Sequence, residues 1–375
     1  MSIVIRRARG LSLVELMVAL TIGSLLIGGA LYMYQQGRSS YALNERITLL
    51  QDAGRYVISV IEPDLELAGY YGFTNSAQTV RFVKQGDPGK IVVTARQMRQ
   101  FKVVDSDPTV TAVPDLPEGA HVCGTNFAVD VLVPVQGSNG TFQLGPGEAG
   151  SGTKTGCETT YGASAKADTL TIRRAAAQPS DPDAGRIQIY AQRMGSRTAH
   201  FLFADGTVPG VVNDDNQVRD LVVRSYYVAP SSVGRAGLPA LRVKTLTQQA
   251  GRIVFNDDEV MQGVEDLQVQ FGIDTGDYDA NGVIDAGVDV NADDIPESDG
   301  RVTRYVNPDF PNLHRYQVVA VRLWVRVRAE QIEPGFQDTR PYSYADVSFS
   351  AQGDERKFRR VVLSRTITLR NARTL

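Results

Sequence analysis

The chain has 375 residues, 42% of them hydrophobic and 22% charged, with a formal net charge of −3, the balance of a globular protein with one large domain or two modest ones. The near-neutral charge excludes a domain-wide basic field of the kind that recruits nucleic acid or an anionic membrane surface. Two cysteines with no CxxC pair exclude a zinc cluster and a thioredoxin-type redox site.

At the N-terminus, residues 1–10 carry Arg6, Arg7 and Arg9 and no acid, which keeps that end cytoplasmic by the positive-inside rule. From Leu11 the chain is apolar at nearly every position to Tyr34, enough for a membrane-spanning helix of about 20 residues. Glu15 breaks the run. An ionised carboxylate at membrane depth costs about 2.5 to 3.5 kcal/mol on insertion scales, so it requires a partner or a task. A plain signal-anchor tolerates such a glutamate near the interface. A removable secretory signal, cut after Gly28 and Ala30, is opposed by an acid in its apolar region.

A third reading rests on a motif. Arg9-Gly10-Leu11-Ser12-Leu13-Val14-Glu15-Leu16 resembles the type IV prepilin cleavage site, in which a glycine precedes a hydrophobic first mature residue and a glutamate stands at the fifth mature position. The resemblance implies that a membrane aspartyl prepilin peptidase cuts between Gly10 and Leu11 and methylates the new amino group of Leu11, where the family more often has phenylalanine. Glu15 then lies one helical turn from a positive α-amino group. The resemblance implies pairing with the amine of a neighbouring subunit, which sets axial register; a pair within one chain is the alternative.

Beyond Arg38, Leu43, Ile47, Leu50, Val57 and Ile61 form one stripe of a continuing amphipathic helix. Pro63 is expected to end or kink it. A helix from Leu11 to about Glu62 would measure on the order of 75 Å. The division expected is a leader at 1–10, a transmembrane helix half at 11–37, an amphipathic half at 38–63 and a β-rich globular domain at 64–375.

Strand patterns bounded by Gly, Pro, Asn and Asp follow at 90–94, 130–135, 169–173 and 222–228. Cys123 and Cys157, if they lie outside the cytoplasm, are free to form one disulfide, which the chain-entropy model values at roughly 3 to 4 kcal/mol; two separate buried thiols are the alternative. The stretch from Gly147 to Thr155 is superficially like a phosphate loop but fails, because Thr153 separates Gly152 from Lys154. The strongest strand is 318–330, where Val321, Leu323, Val325 and Val327 alternate with Arg322, Trp324, Arg326 and Arg328. Its polar face reads as a solvated surface with cation–π contacts or as a surface for a neighbouring subunit.

Between these strands, Asp277, Asp279, Asn281, Gly282, Val283 and Asp285 match the first nine positions of an EF-hand-type loop, alternate oxygens converging as a hard cation requires. Val288 replaces the bidentate glutamate, and Asp289 comes one residue late. The expected ligands for Ca²⁺ are Asp277, Asp279, Asn281, Val283, Asp285 and Asp289. A solvated acidic loop is the alternative. His121, His200 and His314 are scattered and no Ser/His/Asp order has motif support, so no enzyme is expected.

The prepilin motif, residues 64–70, 167–174 and 264–273 with the Asp-rich loop after them, and 359–371 together resemble the PilW-type minor pilins. The resemblance implies an α+β, type IV pilin-like fold, a long N-terminal helix packed on antiparallel sheet with an enlarged β-rich C-terminal region. It also implies a minor subunit in the inner membrane with its C-terminal domain in the periplasm, later at the pilus or cell surface. Implied partners are other minor pilins, the major pilin, the prepilin peptidase and a large tip adhesin, in service of adhesion or twitching motility; no direct nucleic-acid contact is expected. A calcium-stabilised tip adhesin and a type II secretion pseudopilin are the competing functions.

Overall fold

The computed structural model describes residues 12–74, 80–84, 87–94, 123, 126–144, 157, 159–194, 197–275, 300–311, 313 and 316–372. Helix α1 runs Leu13–Glu66, and the chain divides into two compact units, Met1–Gln51 and Asp52–Leu375. In the first unit the helix exposes Leu13, Leu16, Leu20, Leu25, Leu26 and Ile27 and is long and apolar enough to cross a membrane. Along the amphipathic stripe, Leu43 and Ile47 are half-buried and Leu50, Val57 and Ile61 are buried.

Pro63 does not end the helix, which continues to Glu66. A proline removes one backbone donor, and contacts of the last turn hold it in place. Leu65 is fully buried, and Asp64 accepts from Arg174 Nη2 (2.8 Å), Arg224 Nη1 (2.9 Å) and Tyr226 Oη (2.7 Å). Two further ion pairs fasten the helix to the C-terminal strand region, Glu62 with Arg365 and Glu66 with Arg370.

The second unit holds strands β1 (Val80–Lys84), β2 (Asp87–Thr94), β3 (Val135–Ser138), β4 (Thr169–Ala175), β5 (Ala184–Met194), β6 (Arg197–Asp205), β7 (Asn216–Ala229), β8 (Ala240–Gln249) and β9 (Arg252–Gln262). These form one sheet in the order β2-β1-β6-β5-β7-β4-β3, with β8 on β7 and β9 on β8. Pairing is antiparallel except between β1 and β6. The expected strand at 130–135 is a correction: residues 126–134 are turns and irregular backbone, and the strand begins at Val135. Its apolar side chains are used otherwise, since Val129 and Val131 are buried in a core with Tyr71, Phe127 and Phe255. Cys123 and Cys157 join that core as a disulfide with Cα atoms 5.2 Å apart, so the alternative of two separate thiols does not hold.

The second sheet contains β10 (Val264–Asp274), β11 (Arg304–Val306), β12 (Gln317–Arg328) and, after a hairpin of β13 (Pro341–Tyr344) and β14 (Val347–Ser350), the final strand β15 (Arg360–Thr368). Its order is β11-β10-β12-β15, antiparallel throughout. The expected alternation along β12 is present, with Val321, Leu323, Val325 and Val327 all buried. Asp168 ties the two sheets together. Its N–H donates to Leu267 O (2.9 Å), and its carboxylate accepts from the N–H of Val269 (2.8 Å) and of Gly140 (2.8 Å). A long apolar helix followed by antiparallel sheets is the α+β architecture expected.

Candidate functional site

The start of α1 closes on itself. The Ser12 N–H donates to Glu15 Oε2 (2.9 Å), and the Glu15 N–H donates to Ser12 Oγ (3.2 Å), the reciprocal pair of a capping box. Two orphan N–H groups of the first turn are satisfied, and the carboxylate has a partner within its own chain. The serine three residues before the glutamate is the sequence signal for this cap, independent of the glutamate-to-amine spacing. Gly10 and Leu11, where cleavage and methylation are expected, lie outside the described residues.

A second constellation lies on the polar face of the four-stranded sheet. A bulge in β10 steps from Val264 opposite Val327 to Asp266 opposite Arg326, so that Glu265 is extra and two adjacent acids serve one arginine cluster. Glu265 accepts from Arg360 Nε (2.7 Å) and Nη2 (2.9 Å) and from Arg326 Nε (3.1 Å), with Arg328 at 3.7 Å. Asp266 accepts from Tyr344 Oη (2.6 Å), and burial raises its pKa above the ordinary aspartate value. The β13–β14 hairpin covers the cluster with Tyr344 and with Phe349, whose ring centroid is 3.8 Å from the Arg326 guanidinium.

The solvated reading of this face is therefore corrected for Arg326, which is 7% exposed, and retained in part for Arg322 and Trp324, which are half-buried. Cation–π contacts are present, as expected. The carboxylates that bury Arg326 lie about sixty positions away in the chain, and no local pattern identifies them.

Asp277, Asp279, Asn281, Val283, Asp285 and Asp289 lie outside the described residues. Among the described residues no group of three or more His, Cys, Asp or Glu could hold a metal ion. His121 and His314 also lie outside them. His200 is fully buried in β6, and neither ring nitrogen has a hydrogen bond among the described residues.

Residues 5–31 match the family model described as the prokaryotic N-terminal methylation motif, and residues 225–371 match the one described as type IV pilus-assembly protein W. The C-terminal part of the chain is therefore similar to the type IV pilus-assembly protein W family. The methylation motif spans the Ser12–Glu15 cap and the first turns of α1, and the PilW-like region contains the entire four-stranded sheet with its arginine cluster. A solved structure, a type IV-like pilin from Thermus thermophilus, is similar over 58% of this chain and 82% of its own at 12% identity, with a TM-score of 0.24. No curated protein matches the chain.

Proposed function

We propose that the chain is a minor subunit of a type IV pilus, a non-enzymatic assembly protein that helps prime the filament and enters it at or near the tip. It is made with residues 1–10 as leader, cut between Gly10 and Leu11, methylated at Leu11 and held in the inner membrane by α1 with its larger unit in the periplasm. Its partners are the prepilin peptidase, other minor pilins, the major pilin and a large tip adhesin.

The observation that carries this reading is Glu15, a lone acid at the head of an apolar helix, matched by the methylation motif. In the precursor its carboxylate rests on the Ser12 N–H. Once an amine appears at Leu11, an opposite charge outcompetes a neutral donor at membrane depth, where screening is weak. Glu15→Ala should leave membrane insertion intact and block incorporation into filaments; normal incorporation of that variant would end the register role.

The Asp-rich loop is a separate proposal. Asp277, Asp279, Asn281, Val283 and Asp285, with Asp289 as sixth ligand, would bind Ca²⁺ in the weak extracellular range because position twelve is Val288. Calorimetric titration of the full chain that gives no heat at millimolar calcium removes it.

A further inference from the structure

The arginines on the polar face of the four-stranded sheet are not equivalent. Arg326, Arg328 and Arg360 all reach Glu265. Arg322 has no carboxylate partner among the described residues. Its guanidinium lies 3.7 Å from the Tyr305 ring centroid and 5.8 Å from that of Trp324, and among the described residues its one hydrogen bond runs from Nε to Thr366 Oγ1 (3.3 Å). Two aromatic rings flank the group, and neither terminal nitrogen has a hydrogen-bond partner among the described residues, which leaves a fork shaped for a carboxylate.

Beside it runs an open strand edge. Among the described residues β15 pairs with β12 on one side and ends the sheet. The Leu369 N–H donates to Val319 O and the Ala329 N–H to Arg359 O, and the register between the two strands is unbroken. Odd-numbered residues of β15 therefore face β12, and the backbone N–H and C=O of Val362, Ser364 and Thr366 face away from it. Ser364 and Thr366, the cross-strand partners of Trp324 and Arg322, are exposed. Natural proteins cover or blunt such an edge unless it is used.

We propose that the β15 edge, with Arg322, Trp324 and Tyr305 beside it, docks an extended segment of another polypeptide that adds as a fifth strand and places an Asp or Glu carboxylate on Arg322. Alternating donors and acceptors at peptide spacing select a strand. A nucleic acid can stack on Trp324 and set a phosphate on Arg322, but a DNA backbone has no donor for the outward carbonyls of Val362 and Ser364, and an RNA backbone offers only 2′-hydroxyls, which do not alternate with acceptors at peptide spacing. A chain that never entered a filament would present the same edge, so loss of docking and loss of processing at Leu11 are separate failures.

The test replaces Ser364 in the full-length chain with the photo-crosslinking residue p-benzoylphenylalanine in cells that make the protein, followed by sequencing of the adduct. The expected adduct is one proline-free peptide segment with an Asp or Glu within two residues of the crosslink, its yield reduced about tenfold by Arg322→Glu. Thr366→Pro, which removes an outward N–H at an edge that tolerates proline, should reduce it similarly, and serves if Arg322→Glu does not fold. No adduct, an adduct to lipid or nucleic acid, or a yield unchanged in the folded variants would overturn the proposal.

Discussion

Gly54 of α1 meets the Leu363 side chain of β15 with no room for a Cβ between them. Helix and four-stranded sheet are in direct contact here, eight residues along the helix from the Glu62–Arg365 ion pair that fixes the same two elements. Gly54→Val should destabilise the protein by about 1 to 3 kcal/mol through overpacking. Gly54→Ala should be near neutral, because a gain of about 1 kcal/mol in helix propensity offsets a displacement of the flexible Leu363 tip. Adding Leu363→Ala to Gly54→Val should restore part of the loss in urea unfolding; strictly additive effects would show that the two residues do not share this contact.

Asp64 is the point at which the end of α1 joins the large sheet, accepting from Arg174, Arg224 and Tyr226 while almost fully buried. Asp64→Ala leaves a nearly buried arginine and a buried tyrosine hydroxyl without their acceptor. The expected loss is about 3 to 5 kcal/mol, read as a lower urea midpoint. A loss under about 1 kcal/mol would place the ion cluster among exposed pairs that contribute little.

These two residues also mark the limit of what the chain reveals by itself. The apolar run, the stripe through Leu50, Val57 and Ile61, and the alternation from Val321 to Val327 report local periodicity, and each produced the element expected. The helix runs past Pro63 and the segment 130–134 is not a strand because the deciding contacts are distant: Asp64 is held from β4 and β7, and Val131 is drawn into the disulfide-containing core. The same holds for Arg326, whose acids sit on β10. Ser12 differs, since its cap on Glu15 depends only on spacing and was open to reading.

Two buried groups titrate in opposite directions. Burial without a hydrogen bond lowers the pKa of His200 to about 4, so its stabilising share is present above about pH 6.5 and is lost as pH falls through 4. Burial raises Asp168 to about 7, against its two backbone N–H donors, so its share is present below about pH 4 and is lost as pH rises through 7. The slopes oppose each other between these limits. His200→Leu should therefore improve stability relative to the native protein more at about pH 4.5 than at pH 7, by an amount on the order of 2 kcal/mol. Equal effects at both pH values would contradict a neutral buried imidazole.

The Cys123–Cys157 disulfide spans a sequence separation of 34 residues. Replacing both cysteines by serine should lower stability by roughly 3 to 4 kcal/mol in the chain-entropy account, measured by thermal or urea unfolding under oxidising conditions. An unchanged midpoint would mean that the segment is already held by its core contacts.

The filament-subunit account depends most on the fate of residues 1–10. Mass spectrometry of the N-terminal peptide from cell-derived protein should give a chain that begins at Leu11 and carries one added methyl group on its amine. A chain that keeps Arg6, Arg7 and Arg9, or one that begins at Leu31, would contradict the account.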